Sequence, residues 1–376
     1  MKCFCNFKGF LILQRELFTN HSGSSLFFIN FKISHLLKFF SSEIGIDLGT
    51  AWTLVYQKNR GIVLRIPSVV AYDVEKKEVI AIGEDAKMMY GKTPEGIVAV
   101  RPIRDGVIEN LELVQEFLYR IIKKISKFIS PILVIGVPAG ANEVERKAVI
   151  DAGIGAGARE VFLVPEPIAS AIGIGLDISK PKGHMVVDIG GGTSEIAIIS
   201  LNQIAHQNSI KIAGDEMDEA IIEYIRRKYN TNIGYLTAEE IKIKIGNAYP
   251  SENEEFIEIS GWDMIQHRPK TIKISSSEVR EALNNPINQI INAISRLLED
   301  AKADLVRDVL ENGIYLTGGG SLIRGLDLRI QEELNIKVHR VDYPLETVVR
   351  GIGKIVDNLN KFKPLLSKGR KILKSR

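Results

Sequence analysis

From residue 43 onward, short β-branched runs ending in glycine alternate with longer stretches of helical apolar period, the pattern of an α/β architecture. "EIGIDLGTAWTLVYQ" reads as a strand, a tight glycine-containing bend and a return strand; "PILVIGVPAG" reads as a buried strand, with a helix following from about Asn142 to Gly157. "VFLVPEPIASAIGIG" predicts a strand, a corner with Glu166 at its tip, and a helix with Pro167 in its tolerant first turn. In "GDEMDEAIIEYIRRKY" a helical stripe of Met217, Ile221 and Ile225 follows acids placed where the macrodipole favours them. Thr237 and Glu240 fit a T-x-x-E capping box and so predict a helix start. Residues 249–276 read as a small β-rich insertion. One long helix is expected from about Pro286 to Asn312, stopped by Gly313, and "IYLTGGGSLIRG" then gives strand, glycine turn and helix start.

Residues 1–42 have a different texture, rich in Phe, Lys, Ser and His and poor in Gly and Pro. Within them "FKISHLLKFF" (31–40) sets Ile33, Leu36, Leu37 and Phe40 at helical spacing, with no acid until Glu43. Two readings fit: a helix packed on the domain or a disordered leader, and an interfacial membrane helix. Lys8, Arg15, Lys32 and Lys38 interrupt every candidate for a spanning helix of ~18 apolar residues. A signal peptide is disfavoured because the apolar stretch is short, Lys8 breaks it, and no small-residue cleavage site follows cleanly.

Length and charge narrow the function. At ~100–200 residues per domain, 376 residues predict two or three domains. A net charge of +3, without basic tracts interleaved with aromatics, disfavours DNA and RNA as partners. The two cysteines, Cys3 and Cys5, make no disulfide framework or zinc set and fit a reducing cytosol.

The candidate chemistry lies in glycine turns. "VVDIGGGTSEIAI" (186–198) delivers Asp188 to a strand tip and spends three glycines on the bend, more than positive-φ torsions in a hairpin require. "GIDLGT" (45–50) echoes it, with Asp47, Gly49 and Thr50 matching Asp188, Gly190 and Thr193 across a two-glycine insertion. Two such turns suggest two related halves facing each other. Side-chain-free N–H groups and hydroxyls suit nucleotide phosphates, while the two acids fit a hydrated Mg2+ between them and the phosphates. A third turn, "TGGGS" (317–321), lacks the acid and suits a purine face, with Glu240 and Lys242 available for polar contacts to adenosine. Glu166 reads either as a helix N-terminal acid or as the group that orients water at the γ-phosphate, with Thr193 as a second orienter.

The turns resemble the fold of actin, sugar kinases and heat-shock chaperone ATPases. Together with "VRPIRDGVI", "VPEPIASAIGIGL", "AGDEMDEAI" and "AEEIKIKIGNAYP" they closely resemble the bacterial MreB family of cell-shape actin homologues, from about 43 to 356. The resemblance implies two related domains, each a mixed sheet flanked by helices, with ATP and Mg2+ in the cleft between them. It further implies slow ATP hydrolysis, a homopolymer of paired protofilaments on the inner face of the cytoplasmic membrane, and guidance of the cell-wall elongation machinery in rod-shaped cells.

Carried residue by residue, it implies that Thr50, Ala51 and Trp52 form the first phosphate loop, and Gly191, Gly192 and Thr193 the second. Glu239, Glu240, Ile241 and Lys242 would meet the nucleoside; Gly318, Gly319, Gly320 and Ser321 the adenine side; Asp47 and Asp188 the metal region. Glu166 and Thr193 take the hydrolytic roles. Trp52 departs from the Asn usual in the family, and the segment before 43 is longer than usual. Membrane contact is expected from Phe128 and Ile129 in "KKISKFISPIL" and from Leu36, Leu37 and Phe40.

The expected organisation is an extension at 1–42, domain I at 43–178 with 346–376 returning to it, and domain II at 179–345 with an insertion at about 214–279. The alternative is a sugar or acetate kinase, which needs a second-substrate pocket with a base; no acid-rich motif beyond Glu166 supplies one. A chaperone is disfavoured by the short chain left after the ATPase fold, and a non-hydrolysing scaffold has Trp52 as its one hint.

Overall fold

The computed structural model describes residues 42–126 and 130–370. The expected membrane positions Leu36, Leu37, Phe40, Phe128 and Ile129 lie outside the described residues.

Two sheets organise the chain. The first contains β1 (Glu43–Leu48), β2 (Trp52–Gln57), β3 (Gly61–Pro67), β4 (Ile132–Val137), β5 (Glu160–Pro165) and, far along the chain, β11 (Ser367–Arg370). The second contains β6 (His184–Ile189), β7 (Ser194–Ser200), β8 (Gln203–Ile210), β9 (Ile314–Thr317) and β10 (Val338–Arg340). Their orders are β3-β2-β1-β4-β5-β11 and β8-β7-β6-β9-β10. In each, a three-stranded antiparallel meander is followed by two strands parallel to its first strand. The strand order repeats, so the echo between the two Asp-Gly turns is an echo of whole sheets. Asp47 pairs with Leu54 and Asp188 with Glu195, both acids one residue before their strand's end.

Helices cover these sheets: α1 (Glu84–Met89), α2 (Leu111–Ile125), α3 (Glu143–Gly155), α4 (Glu166–Ile174), α5 (Gly214–Tyr229), α6 (Tyr235–Ile245), α7 (Ser276–Asp300), α8 (Ala303–Asn312), α9 (Leu326–Leu334) and α10 (Thr347–Asp357). One apolar core fills the first half around Phe117, Leu118 and Ile135, and another fills the second around Ile196, Met217 and Ile290. A third joins residues of both sheets, Val134, Val164, Val186 and Ala197, to Ala169 of α4 and Ile352 of α10. The two helices cross at glycine: a Cβ on Gly351 would collide with the Ala169 carbonyl, and one on Gly173 with the Thr347 carbonyl. That approach brings the halves together behind the site. None of the described helices is long and apolar enough to span a membrane.

Two helix expectations need correction. The helix expected from Thr237 begins earlier, at Tyr235 after Gly234, and Thr237 lies inside it without a side-chain cap. The single helix expected from Pro286 to Asn312 is two. α7 starts ten residues before Pro286 at a capping box, in which Ser275 Oγ accepts from the Glu278 N–H and Glu278 accepts from the Ser275 N–H. Pro286 sits buried within α7, and the extended backbone at Ala301 and Lys302 separates it from α8. Fixed ends override the general tendency of proline to start a helix.

Candidate functional site

The two Asp-Gly turns meet face to face. A Cβ on Gly191 would lie 2.7 Å from Ala51 Cβ, and one on Gly192 would lie 3.0 Å from the Asp105 amide nitrogen and 3.1 Å from Thr50 Cγ2. None of Gly190, Gly191 and Gly192 is among the residues with positive φ. Close approach, not torsion, therefore excludes side chains here, as the excess of glycine predicts. Thr50 Oγ1 accepts from the Gly106 N–H at 3.3 Å, and the second turn closes through the Gly190 N–H to the Thr193 carbonyl at 2.9 Å. Behind it, the first amides of α5 donate to the turn: Gly214 N to Gly190 O at 3.2 Å and Asp215 N to Gly191 O at 2.8 Å.

Four carboxylates gather around these turns, Asp188 and Glu195 buried and Asp47 and Glu166 half-buried. Asp47 is pushed up to about 8, first by burial and then by the charge of Asp188. Asp188 is raised to about 7 by burial and by Glu195, against a lowering hydrogen bond from the Ser170 hydroxyl at 3.1 Å. Glu166 opens α4, its side chain passing over Gly136 of β4; burial and the charges of Asp47, Glu195 and Asp188 hold it well above the ordinary glutamate range. Glu195 is itself raised by burial, although it accepts from the Ala139 N–H at 3.2 Å and from the Ser209 hydroxyl. Among the described residues, no lysine, arginine or histidine forms an ion pair with any of these four acids. Such a group of anions asks for a cation from outside the chain.

The third glycine turn abuts the second half's acid. Gly318 adopts φ 84°, a conformation that favours glycine, and a Cβ there would collide with Asp188 Oδ1. Gly320 lies equally close to Ile189; a Cβ on Gly319 would sit 2.9 Å from Leu345, and Ser321 Oγ donates to the Gly318 carbonyl at 2.7 Å. The four α6 residues expected at the nucleoside divide. Lys242 reaches beneath the second turn, donating to the Gly214 carbonyl at 2.6 Å and pairing with Asp218 at 2.8 Å. Glu239 pairs with Lys87 at 2.8 Å, and Glu240 is exposed and paired with Lys244 at 2.5 Å. The Ile241 side chain is fully buried in the second core, which corrects the expectation that it faces a ligand.

Residues 41–364 match the MreB/Mbl protein family. The chain is 46% identical over 329 residues to the cell shape-determining protein MreB of Escherichia coli K12, covering 85% of this chain and 95% of that protein. The chain belongs to the MreB/Mbl family. It is also 43% identical to the cell shape-determining protein Mbl of Bacillus subtilis, over 86% of this chain and 98% of that one. Among solved structures, MreB5 of Spiroplasma citri bound to ADP superposes with a TM-score of 0.83 at 37% identity, over 86% of this chain and 98% of that one. MreB5 has also been solved bound to AMPPNP. A MamK double helical filament matches at TM-score 0.71 and 23% identity, covering 84% of this chain and 99% of that one, a likeness of fold.

Within this MreB/Mbl chain, several residues around the site carry no motif of their own. Arg101 pairs with Asp215 at 2.6 Å and Lys87 with Glu239 at 2.8 Å, joining the first half to α5 and α6 of the second. Asp105 backs Gly192, and Glu195 lies within the acid cluster. The detectable signals were an acid opening the apolar strand "SEIAIIS" and the "RDG" turn at 104–106. Among the described residues, no three His, Cys, Asp or Glu side chains are arranged to hold a metal ion by themselves. The acids fit a hydrated divalent ion that takes the rest of its shell from water and ligand oxygens.

Proposed function

We propose that this MreB/Mbl chain binds ATP with Mg2+ between its two sheets, hydrolyses it slowly, and polymerises into paired filaments on the inner face of the cytoplasmic membrane. There it directs the cell-wall elongation machinery and maintains rod shape. The observation that carries this reading is the meeting of the Thr50–Ala51 and Gly191–Gly192 turns beside buried Asp188 and half-buried Asp47 and Glu166, none of them paired with a cationic side chain among the described residues. In it, backbone amides of Thr50, Ala51, Trp52, Gly191, Gly192 and Thr193 hold the phosphates. Asp47 and Asp188 hold the metal through water, and residues 318–321 with Glu239, Glu240 and Lys242 border the nucleoside. Glu166 and Thr193 orient the attacking water; Mg2+ supplies charge neutralisation on the phosphates when bound.

Domain I corresponds to 43–178 with 346–376, and domain II to 179–345 with an insertion at about 214–279. The nucleotide-bound MreB5 structures and the cell-shape relatives support the nucleotide-binding and cell-shape parts of the reading. The membrane role falls to 31–40 and to Phe128 and Ile129. The test is purified protein with Mg-ATP on anionic liposomes, followed by electron microscopy and phosphate release. Paired filaments on lipid, and weaker co-sedimentation after deletion of residues 1–42, are expected. A persistent monomer that phosphorylates a sugar or acetate would overturn the filament reading.

A further inference from the structure

Trp52 follows the first phosphate turn directly and starts β2, half-buried, with Ala51 before it against Gly191. Across the sheet, Leu54 pairs with Arg65, so the Arg65 guanidinium lies diagonally over the indole at 4.7 Å from the ring centroid. The Lys87 ammonium lies 5.4 Å from the same centroid, within the range at which a ring face attracts a cation. Lys87 is also the partner of Glu239, at 2.8 Å and 3.0 Å from its two oxygens. One ammonium thus touches a residue adjoining the first turn and a residue of α6 in the other half.

We propose that Trp52 is a positioning residue: its indole holds Lys87 in reach of Glu239, so that the first glycine turn and α6 shift together. A compact amide at position 52 presents no ring face and leaves Lys87 free to follow solvent or Glu239 alone. The inference rests on nucleotide binding between the two halves.

The chain has two tryptophans, Trp52 and Trp262. Trp262→Phe leaves Trp52 as the one indole reporter, and equilibrium dialysis of MgADP supplies a separate measure of binding. In this background Lys87→Gln is expected to shift Trp52 emission without nucleotide, while Lys87→Arg restores it. Lys87→Gln and Trp52→Leu should each weaken MgADP binding by about two- to fivefold, the range a partly exposed cation–ring contact supports. The double variant should lose less than the product of the two, because each change removes the same linkage. Circular dichroism and melting curves identify variants that fail to fold, and Trp52→Val, which also removes the ring face and suits a strand, replaces Trp52→Leu in the cycle if needed. Multiplicative losses, or Trp52 emission blind to Lys87→Gln, overturn the linkage. Absence of MgADP binding to the unmodified protein overturns the functional reading instead.

Discussion

The first and second Asp-Gly turns share a place in their sheets but not a construction. Each acid stands one residue before the end of the first meander strand, with a return strand beside it. The first turn is short, and the glycine in it is confined by its own hairpin: a Cβ on Gly49 would lie 2.8 Å from the Trp52 carbonyl. The second turn is two glycines longer; Gly190 is confined by its own hairpin at the Thr193 carbonyl, but Gly191 and Gly192 are confined by the opposite half, at Ala51, Asp105 and Thr50. Their acids differ too. Asp188 receives the Ser170 hydroxyl, whereas Asp47 has burial and the neighbouring charge of Asp188 acting on it, both upward. One turn is a fixed wall; the other is a surface fitted against it.

The largest expected effect comes from the acid that serves both turns. Glu166 is held protonation-prone by burial and by Asp47, Glu195 and Asp188, so it responds to each half. Glu166→Ala should slow phosphate release by about 100-fold, the lower end of what a positioned acid or base contributes, while Mg-ATP affinity stays within about twofold. Single-turnover phosphate release measures the first and equilibrium dialysis the second. An unchanged release rate removes Glu166 from the chemistry and leaves the turns as a binding site alone.

The contrast between the turns also explains what was legible in the sequence. Asp47, Asp188 and the glycines were readable because strand alternation and a local excess of glycine are near-neighbour signals. From them came the expectation of two related halves, and the repeated strand order is what the fold adds. The ion pairs joining the halves were not readable, because Lys87 and Glu239 lie 152 residues apart and Arg101 and Asp215 lie 114 apart. Charged residues are common on helix surfaces, and nothing local marks which two will meet. Helix ends failed for another reason: Pro286 and Thr237 each look like start signals, but the Ser275–Glu278 box and the turn at Gly234 fix earlier starts. Ile241 was carried into the site by its neighbours, although its place on the inward face of α6 sends it to the core.

A second test separates the two acids by pH. Their folded-state values are raised above the ordinary 3.8, so the folded protein keeps protons that the unfolded chain has released. Their contribution to stability is complete below pH ~4 and is lost as pH rises toward 7–8, because the slope follows the proton difference between unfolded and folded states. Asp47→Asn cannot ionise. In the nucleotide-free protein it should gain stability over the unmodified chain as pH rises from 5 to 8, by about 3 kcal/mol. Asp188→Asn should gain less and level off earlier, because the Ser170 hydroxyl already stabilises the Asp188 carboxylate. Denaturant melts across this pH range measure both. Equal gains would erase the difference between the turns, and a gain that falls with pH would reverse the sign of the burial argument.

The smallest effect discriminates a fixed wall from a fitted surface. Gly49→Ala places a methyl against the Trp52 carbonyl inside one hairpin, so the strain cannot be relieved by moving the halves apart. It should lower global stability by about 1–3 kcal/mol whether or not nucleotide is present. Gly191→Ala places a methyl 2.7 Å from Ala51 Cβ, and a small separation of the halves relieves it. Global stability should then change by less than about 0.5 kcal/mol, while MgADP affinity falls by about threefold through lost closure. Denaturant melts and equilibrium dialysis on the two variants give four numbers, and the pattern must cross. If Gly191→Ala destabilises as much as Gly49→Ala with unchanged affinity, the halves are locked rigidly together and the second turn is also a wall.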